Sequence, residues 1–240
     1  MFGDGRRAAT IRAIYVRVAE TASTRIRVTA LEITLLGYNC LRMRGRDAVV
    51  VTDPFLNGDG RLHTTADIVT LSSAVDCERR AALVDGAPRA VCGPGEYEIK
   101  GVFITGVGTY RDAQSGKERG RNTVYLIELE DLRVCHLGEL GHVLSSDQLE
   151  EIGTVDVLCV PVGGAPGISP AQAAEVISQL EPSIILPMDW KRPDDSQVTA
   201  SFDKFCHEMG IKDVEPQPRL SVSKSSLPAE AQVVVLEPKR

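Results

Sequence analysis

Four acidic residues of this chain are candidates for chemistry: Asp53, Glu78, Glu139 and Asp189. Carboxylates supply the hard oxygen ligands that Mg²⁺, Mn²⁺ and Ca²⁺ prefer, and two carboxylates with separated pKa values can act as acid and base. Arg111 argues against a divalent ion beside them, because a guanidinium repels such an ion. A guanidinium also pairs with carboxylates bidentately, so Arg111 is expected either to join an internal network of carboxylates or to face solvent from the charged stretch 110–120.

The remaining candidates for acid–base or nucleophilic chemistry are two histidines and one cysteine. His136 and His142 bracket the string HLGELGH, where we expect imidazoles that fix the loop by hydrogen bonds; acid–base work is the alternative. Cys77 would need a nearby base to act as a nucleophile, and the sequence places Glu78 beside it but no histidine. Asp53 precedes Pro54, and a role in the turn is sufficient to explain it.

The composition is that of a globular protein. Of the 240 residues, 43% are hydrophobic and 25% are charged, which favours neither a disordered chain nor a membrane protein. The net charge of −6 argues against a nucleic-acid-binding surface, which would be basic. No apolar run approaches the roughly 18 residues of a membrane-spanning helix.

The cysteine pattern predicts a reduced, cytoplasmic protein. The six cysteines form no C-x-x-C pair, and no secretory signal precedes them. Four of them, Cys40, Cys92, Cys135 and Cys159, lie in apolar stretches, where cysteine behaves as a small hydrophobic residue. We therefore expect reduced and mostly buried thiols.

These side chains need a scaffold, and the residue pattern predicts strands first and then alternating strands and helices. The predicted strands of the first part are 32–36, 39–44, 48–52, 68–71, 89–91, 96–99, 102–107, 123–129 and 132–137. Helices are expected at 146–152, 169–180 and 198–209, and further strands at 155–162, 184–187 and 233–236. Ser169 and Pro170 mark a helix start, because serine caps the first turn and proline fits within it. This order suits a layered α/β sandwich.

The first 30 residues are predicted to be a basic extension. They contain six arginines and only two acidic residues, and they precede the first convincing strand. An upstream extension from a misassigned start codon is the favoured explanation; a short helix or strand and a transit-like or disordered tail are the alternatives. Residues 31–240 are expected to form one domain.

Six strings in this order resemble one family, the metallo-β-lactamase-fold metal-dependent hydrolases. They are LLGYNC at 35–40, VTDPF at 51–55, CGPGEYE at 92–98, HLGELGH at 136–142, VPVGG at 160–164 and ILPMDW at 185–190. The similarity covers about residues 31–240 and is nearest to the branch that contains ascorbate-6-phosphate lactonases. The resemblance implies a four-layer αββα sandwich with its site at one rim of the two sheets.

The resemblance also implies metal ligands, and this sequence departs from the family at those positions. Family members bind zinc or manganese through an H-x-H-x-D-H string after a strand and through residues of later strings. The corresponding residues here are Ser73, Val75, Cys77, Glu78, Arg111, Glu139 and Asp189. Arg111 stands at the histidine position of a further string, YRD at 110–112, which resembles the family's YHD. Because the resemblance puts Arg111 at one site with Glu78, Glu139 and Asp189, we expect it to pair with these carboxylates. Tyr110 of this string, and His136, His142 and Trp190 of the strings above, are expected to line the pocket.

Two functions are therefore expected. The first is a metal-free, non-catalytic member that binds a small molecule or a partner protein and uses no cofactor. The alternative is an active lactone or phosphoester hydrolase with a carboxylate-rich or metal-independent site. A homo-oligomer is compatible with both, and neither nucleic acid nor membrane is an expected partner.

Overall fold

A computed structural model describes residues 30–56, 62–164, 167–190 and 196–239. The predicted basic extension, residues 1–30, lies outside the described residues except for Ala30. Helices in the described part are α1 (Cys77–Ala81), α2 (Ser146–Ile152), α3 (Pro170–Leu180) and α4 (Ser196–Glu208). The strands are β1 (Leu31–Gly37), β2 (Cys40–Arg44), β3 (Val49–Thr52), β4 (Ile68–Leu71), β5 (Arg89–Cys92), β6 (Gly95–Ile99), β7 (Val102–Tyr110), β8 (Arg121–Leu129), β9 (Leu132–His136), β10 (Val157–Pro161), β11 (Ile184–Met188), β12 (Leu220–Val222) and β13 (Gln232–Val233).

The strands form two mixed sheets. The first has the order β12-β1-β2-β3-β4-β5, and the second has the order β13-β11-β10-β9-β8-β7-β6. Strands β3, β4 and β5 are parallel to one another, as are β9, β10, β11 and β13. The remaining pairs are antiparallel; all of them join strands that are consecutive in sequence except β1 and β12.

Three apolar clusters hold four layers together. The inner cluster joins the facing sides of the two sheets and includes Ile33 and Tyr125. A second cluster packs helices α3 and α4 on the outer side of the second sheet, with Phe205 fully buried. The third packs Ala81 of α1 against the outer side of the first sheet. The predicted αββα sandwich is confirmed.

Helix α3 begins where its capping residues predicted. Ser169 accepts a hydrogen bond from the backbone N–H of Gln172, whose side chain in turn accepts one from Ser169 N–H, and Pro170 is the first helical residue. Ser145 and Gln148 form the same reciprocal cap on α2.

Short elements were missed. Helix α1 has only five residues and strand β12 only three, so neither develops a full period of apolar positions. The closing strand was predicted too long: β13 ends at Val233, and Leu236 makes only an isolated bridge with Gln217.

The expectation that all six cysteines are reduced is wrong for two of them. Cys77 and Cys92 form a disulfide with a Cα–Cα distance of 6.3 Å, within the usual span of such bonds. Because α1 packs beside β5, residues that are 15 apart in sequence are brought together. Cys40, Cys135, Cys159 and Cys206 are free and buried, as expected. Burial raises the pKa of Cys135 to about 12.

None of the helices in the described part of the chain is long and apolar enough to cross a membrane. The cytoplasmic location stays a prediction.

Candidate functional site

The carboxyl ends of the parallel strands of both sheets meet at one rim of the sandwich, where a cleft of about 480 Å³ opens. Such rims are where ligands bind in sheets of this kind. The cleft is lined by Tyr38, Asn39, Asp53, Phe55, Leu56, Arg80, Arg119, Glu139, Leu140, Pro161, Gly163, Gly164, Gly167, Ile168 and Asp189. Three of the four candidate carboxylates therefore share this cleft.

Asp53, at the end of β3, holds the start of the loop that follows β4. Its two carboxylate oxygens accept hydrogen bonds from the Ser72 backbone N–H at 2.8 Å and the Ser72 hydroxyl at 2.6 Å. Oδ1 also lies 3.6 Å from a terminal nitrogen of Arg80. A buried carboxylate is stable only when it is paired in this way. Asp53 therefore does more than shape the turn before Pro54.

Glu139 is shared by two arginines. Its Oε2 accepts a hydrogen bond from Arg111, and Arg119 lies 4.0 Å from the same oxygen. The side chain of Arg119 also donates a hydrogen bond to the backbone carbonyl of Arg111 at 3.2 Å, which holds the two arginines side by side. The expected pairing of Arg111 with a carboxylate at this site is observed, and the interpretation that Arg111 faces solvent is not.

The loop that carries both arginines is organised by Asp112. Its carboxylate accepts hydrogen bonds from four backbone N–H groups, those of Gln114, Gly116, Glu118 and Arg119. Burial by itself would raise the pKa of Asp112, but the four donors outweigh it, so the pKa lies below its usual value. This nest of amides sets the backbone from which Arg111 and Arg119 reach Glu139.

Two glycines allow the segment after β9 to sit against these loops. A Cβ at Gly141 would collide with the backbone of Arg111, and the Gly141 N–H donates to the Tyr110 carbonyl at 2.9 Å. Gly138 has a φ of 61°, and a Cβ there would collide with the side chain of Ser72. Glycine at both positions is a steric requirement of the site.

The loop after β4 contributes little to the cleft. Ser73 is buried and its hydroxyl accepts from the Val75 N–H at 3.4 Å, while Val75 itself is 69% exposed. Cys77 is in the disulfide, and Glu78 is exposed on α1 and absent from the cleft lining. The prediction that Glu78 joins Arg111 is wrong, because the first turn of α1 turns this side chain to solvent.

Asp189 follows β11 and lines the same cleft as Glu139. Its backbone N–H donates to the Tyr38 carbonyl at 3.0 Å, which ties the second sheet to the β1–β2 turn. A Cβ at Gly163 would come within 2.5 Å of the Asp189 carboxylate, so this glycine makes room for it. The residues Tyr38, Asp53 and Asp189 all have positive φ, and such backbone strain collects at functional sites.

The four residues expected to line the pocket lie behind it. His136 is fully buried and its Nε2 donates to the Asn39 carbonyl at 2.8 Å. Burial lowers the pKa of His136, although Asp53, 4.0 Å away, opposes the shift. His142 accepts from the Tyr110 N–H and donates to the Val143 carbonyl. The Trp190 indole donates to the Leu236 carbonyl.

These contacts favour the structural interpretation of both histidines. Since none of the four lines the cleft, the expectation for His136, His142, Tyr110 and Trp190 is corrected from pocket wall to support.

The donor set does not fit the metal centre that the resemblance implies. Among the described residues no three His, Cys, Asp or Glu side chains converge as a metal-binding group. Glu139 is engaged by two guanidinium groups, Cys77 is not a thiol, and Glu78 does not line the cleft that Glu139 lines.

Several residues of the site were not predicted from the sequence, among them Arg80, Arg119 and the cleft-lining residues Tyr38, Phe55 and Leu56. Arg80 lies one turn after Cys77 in the unpredicted helix α1. Arg119 is brought opposite Arg111 by the β7–β8 hairpin, in which Tyr110 pairs with Arg121. Both strands of this hairpin were predicted from the sequence. Pairing their adjacent ends would therefore have placed Arg119 near Arg111. Tyr125, whose buried hydroxyl bonds Leu71, Val91 and Gly93, is recognisable only from sheet packing.

Comparison with known proteins is consistent across sequence and structure. A family model described as a beta-lactamase superfamily domain matches residues 32–189. A UPF0173 metal-dependent hydrolase of Methanopyrus kandleri is 25% identical over 219 residues, covering 77% of this chain and 95% of the relative. Another from Thermococcus onnurineus is 24% identical over 190 residues, covering 67% of this chain and 84% of the relative. The crystal structure of a Thermotoga maritima protein of the metallo-beta-lactamase superfamily is 35% identical, with a TM-score of 0.71, covering 87% of this chain and 100% of that one.

Proposed function

This chain belongs to the metallo-beta-lactamase superfamily, and we propose that it is a metal-free member whose cleft binds a ligand without hydrolysing it. Its relatives are named metal-dependent hydrolases. The proposal sets this chain apart from them. The observation that carries it is the engagement of Glu139 by Arg111 and Arg119, at the position that the resemblance assigns to a metal ligand.

The electrostatics of Glu139 support this proposal. A divalent ion about 4 Å from one carboxylate gains roughly 8 kcal/mol at an effective dielectric constant of 20. A guanidinium that lies about 4 Å from the ion repels it by the same amount and cancels that gain. A second guanidinium at this distance makes the net interaction of the ion with the three groups repulsive. The arginines therefore take the electrostatic place that an ion would need.

The loop after β4 supports it independently. Serine and valine at positions 73 and 75 are not ligands for such an ion, and the thiolate of cysteine is the form that binds metals. Cys77 is held in a disulfide and cannot supply a thiolate. The residues of this loop therefore supply no ligand for an ion that would activate a bound water.

The experiment measures metal content and turnover on the full-length protein. The protein is incubated with zinc and manganese, desalted, and analysed for metal, and it is assayed with a phosphodiester, a lactone and a β-lactam. We expect far less than one ion per chain and no turnover. The Methanopyrus kandleri relative, prepared in the same way, is the control for metal loading. Stoichiometric tightly bound metal together with turnover would overturn the proposal.

A second candidate is a hydrolase in which Glu139 and Asp189 act as acid and base. The observation in its favour is that both carboxylates line one cleft. If turnover were found, Glu139→Gln and Asp189→Asn should each reduce it by about 100-fold or more. Activity that survives both substitutions would reject this candidate.

A further inference from the structure

The cleft has the chemistry of a site for an organic anion. Resting on the metal-free function proposed above, we infer that it binds a small carboxylate or phosphate ester that carries an apolar group. Arg80 is the anion-binding residue, and Tyr38, Phe55 and Leu56 form the apolar wall.

Arg80 is oriented by contacts within the protein and has hydrogen-bond donors left for a ligand. Its Nε donates to the Pro54 carbonyl at 3.2 Å, and Nη2 lies 3.6 Å from Asp53. Nη1 makes no hydrogen bond or ion pair with any residue that the structure describes. The side chain is 26% exposed and lines the cleft. A guanidinium fixed on one edge is prepared to bind an anion on its free edge.

Two of the three carboxylates that line the cleft are already engaged by arginines. Asp53 is saturated by Ser72 and Arg80, and Glu139 is balanced by two arginines. Asp189 is buried and also has an interaction partner. Arg119 places a second guanidinium on the cleft surface. An incoming anion therefore meets two carboxylates that are already paired, a third, Asp189, that is buried, and the partly exposed guanidinium groups of Arg80 and Arg119.

The other side of the cleft is apolar and accessible. Tyr38 and Phe55 pack edge to face, with ring centroids 4.8 Å apart. Tyr38 is 43% exposed and Leu56 is 60% exposed, and these are two of the four exposed large apolar side chains in the described part of the chain. Exposed apolar residues beside polar anchors are typical of ligand sites, and the cleft has the volume of a small-molecule site.

The experiment is calorimetric titration of the full-length protein with probes that share one six-carbon chain. Hexanoate and hexyl phosphate test the two anions, hexan-1-ol is the neutral control, and hexylammonium carries the opposite charge. We expect at least one anion to bind about tenfold or more tightly than hexan-1-ol, and hexylammonium to be the weakest. The tighter anion assigns the headgroup. Equal binding of hexan-1-ol and both anions, or no binding of either anion, would overturn the inference.

Two neighbouring arginines on α1 provide a matched pair of variants. Arg80→Gln should weaken the better anion about tenfold, whereas Arg79→Gln, at a side chain that is 75% exposed, should leave it within about twofold. Arg80→Lys keeps the charge and should retain part of the affinity. Unchanged hexan-1-ol binding in Arg80→Gln shows that the cleft is intact. Equal losses in the Arg79 and Arg80 variants would contradict the assignment of Arg80.

The two proposals fail differently. Bound metal with turnover rejects the metal-free function whatever the probes do. A metal-free, inactive protein that shows no preference for the anions rejects only the anion site.

Discussion

Two loops at the same rim of the sandwich are built in opposite ways. The loop after β9, residues 137–141, is packed between other backbones and holds Glu139 between two arginines. The loop after β4, residues 72–76, has exposed residues, is bonded to Asp53 only at its start, and is followed by a disulfide. The resemblance assigns metal-ligand positions to both loops.

Under the metal-free function proposed above, the difference shows how a charged site can be retained without an ion. Where the residue at the rim is a carboxylate, neighbouring arginines neutralise it and keep it in place. Where the residues are serine and valine, no charge needs a partner, and the loop is tied to its sheet by a covalent bond further along. Four predictions test this contrast, from the largest expected effect to the smallest.

Gly141→Ala should be the most damaging change. Its Cβ would overlap the Arg111 backbone, so we expect the free energy of unfolding to fall by about 3 kcal/mol or more. Denaturant unfolding measures it. Gly108→Ala, on strand β7, is the matched control, since its Cβ would meet only Pro94 at 3.5 Å. A similar loss in both variants would mean that the loop after β9 is not tightly packed.

The double variant Cys77→Ser, Cys92→Ser tests the covalent anchor of the other loop. A disulfide that closes a loop of 15 residues contributes about 2 to 3 kcal/mol, so the variant should unfold at correspondingly lower denaturant concentration. Adding a reductant should lower the stability of the wild type to that of the variant. No effect of the reductant on the wild type would contradict the anchor.

Glu139→Gln and Glu78→Gln remove one carboxylate from each loop. The first replaces the anionic acceptor that Arg111 and Arg119 share with a neutral amide and should cost about 2 kcal/mol. The second alters an exposed residue and should change stability by less than about 0.5 kcal/mol. Thermal unfolding of the two variants distinguishes them. Equal shifts would remove the contrast between the loops.

The Asp112 nest predicts a small dependence of stability on pH. Because the pKa of Asp112 is lower in the folded protein, its carboxylate contributes stability above the unfolded-state pKa of about 3.9. That contribution is lost as the pH falls through the lower, folded-state pKa. Denaturant unfolding between pH 6 and about pH 3 should therefore show a smaller loss for Asp112→Asn than for the wild type. Identical pH profiles would show that the nest does not bind the charged form.

The large elements and their order were predictable, because they depend on local patterns. Apolar runs bounded by Gly, Asn and Asp predicted most strands, and Ser169 with Pro170 predicted the start of α3. Short elements carry too few residues for a pattern, so α1 and β12 were missed. The pairing of Arg111 with Glu139 was predicted, but its second cation, Arg119, was not.

By itself the sequence determined the succession of strands and helices, the αββα class, and a cluster of carboxylates and arginine at one rim. Only the tertiary structure decided which of these charges meet. Glu78 and Glu139 both stand at positions where the resemblance implies a metal ligand. Yet Glu78 lies on the solvent side of a five-residue helix, and Glu139 lies between two guanidinium groups. The reason is that a side chain's partners depend on loops from both sheets, and no local pattern records how those loops converge.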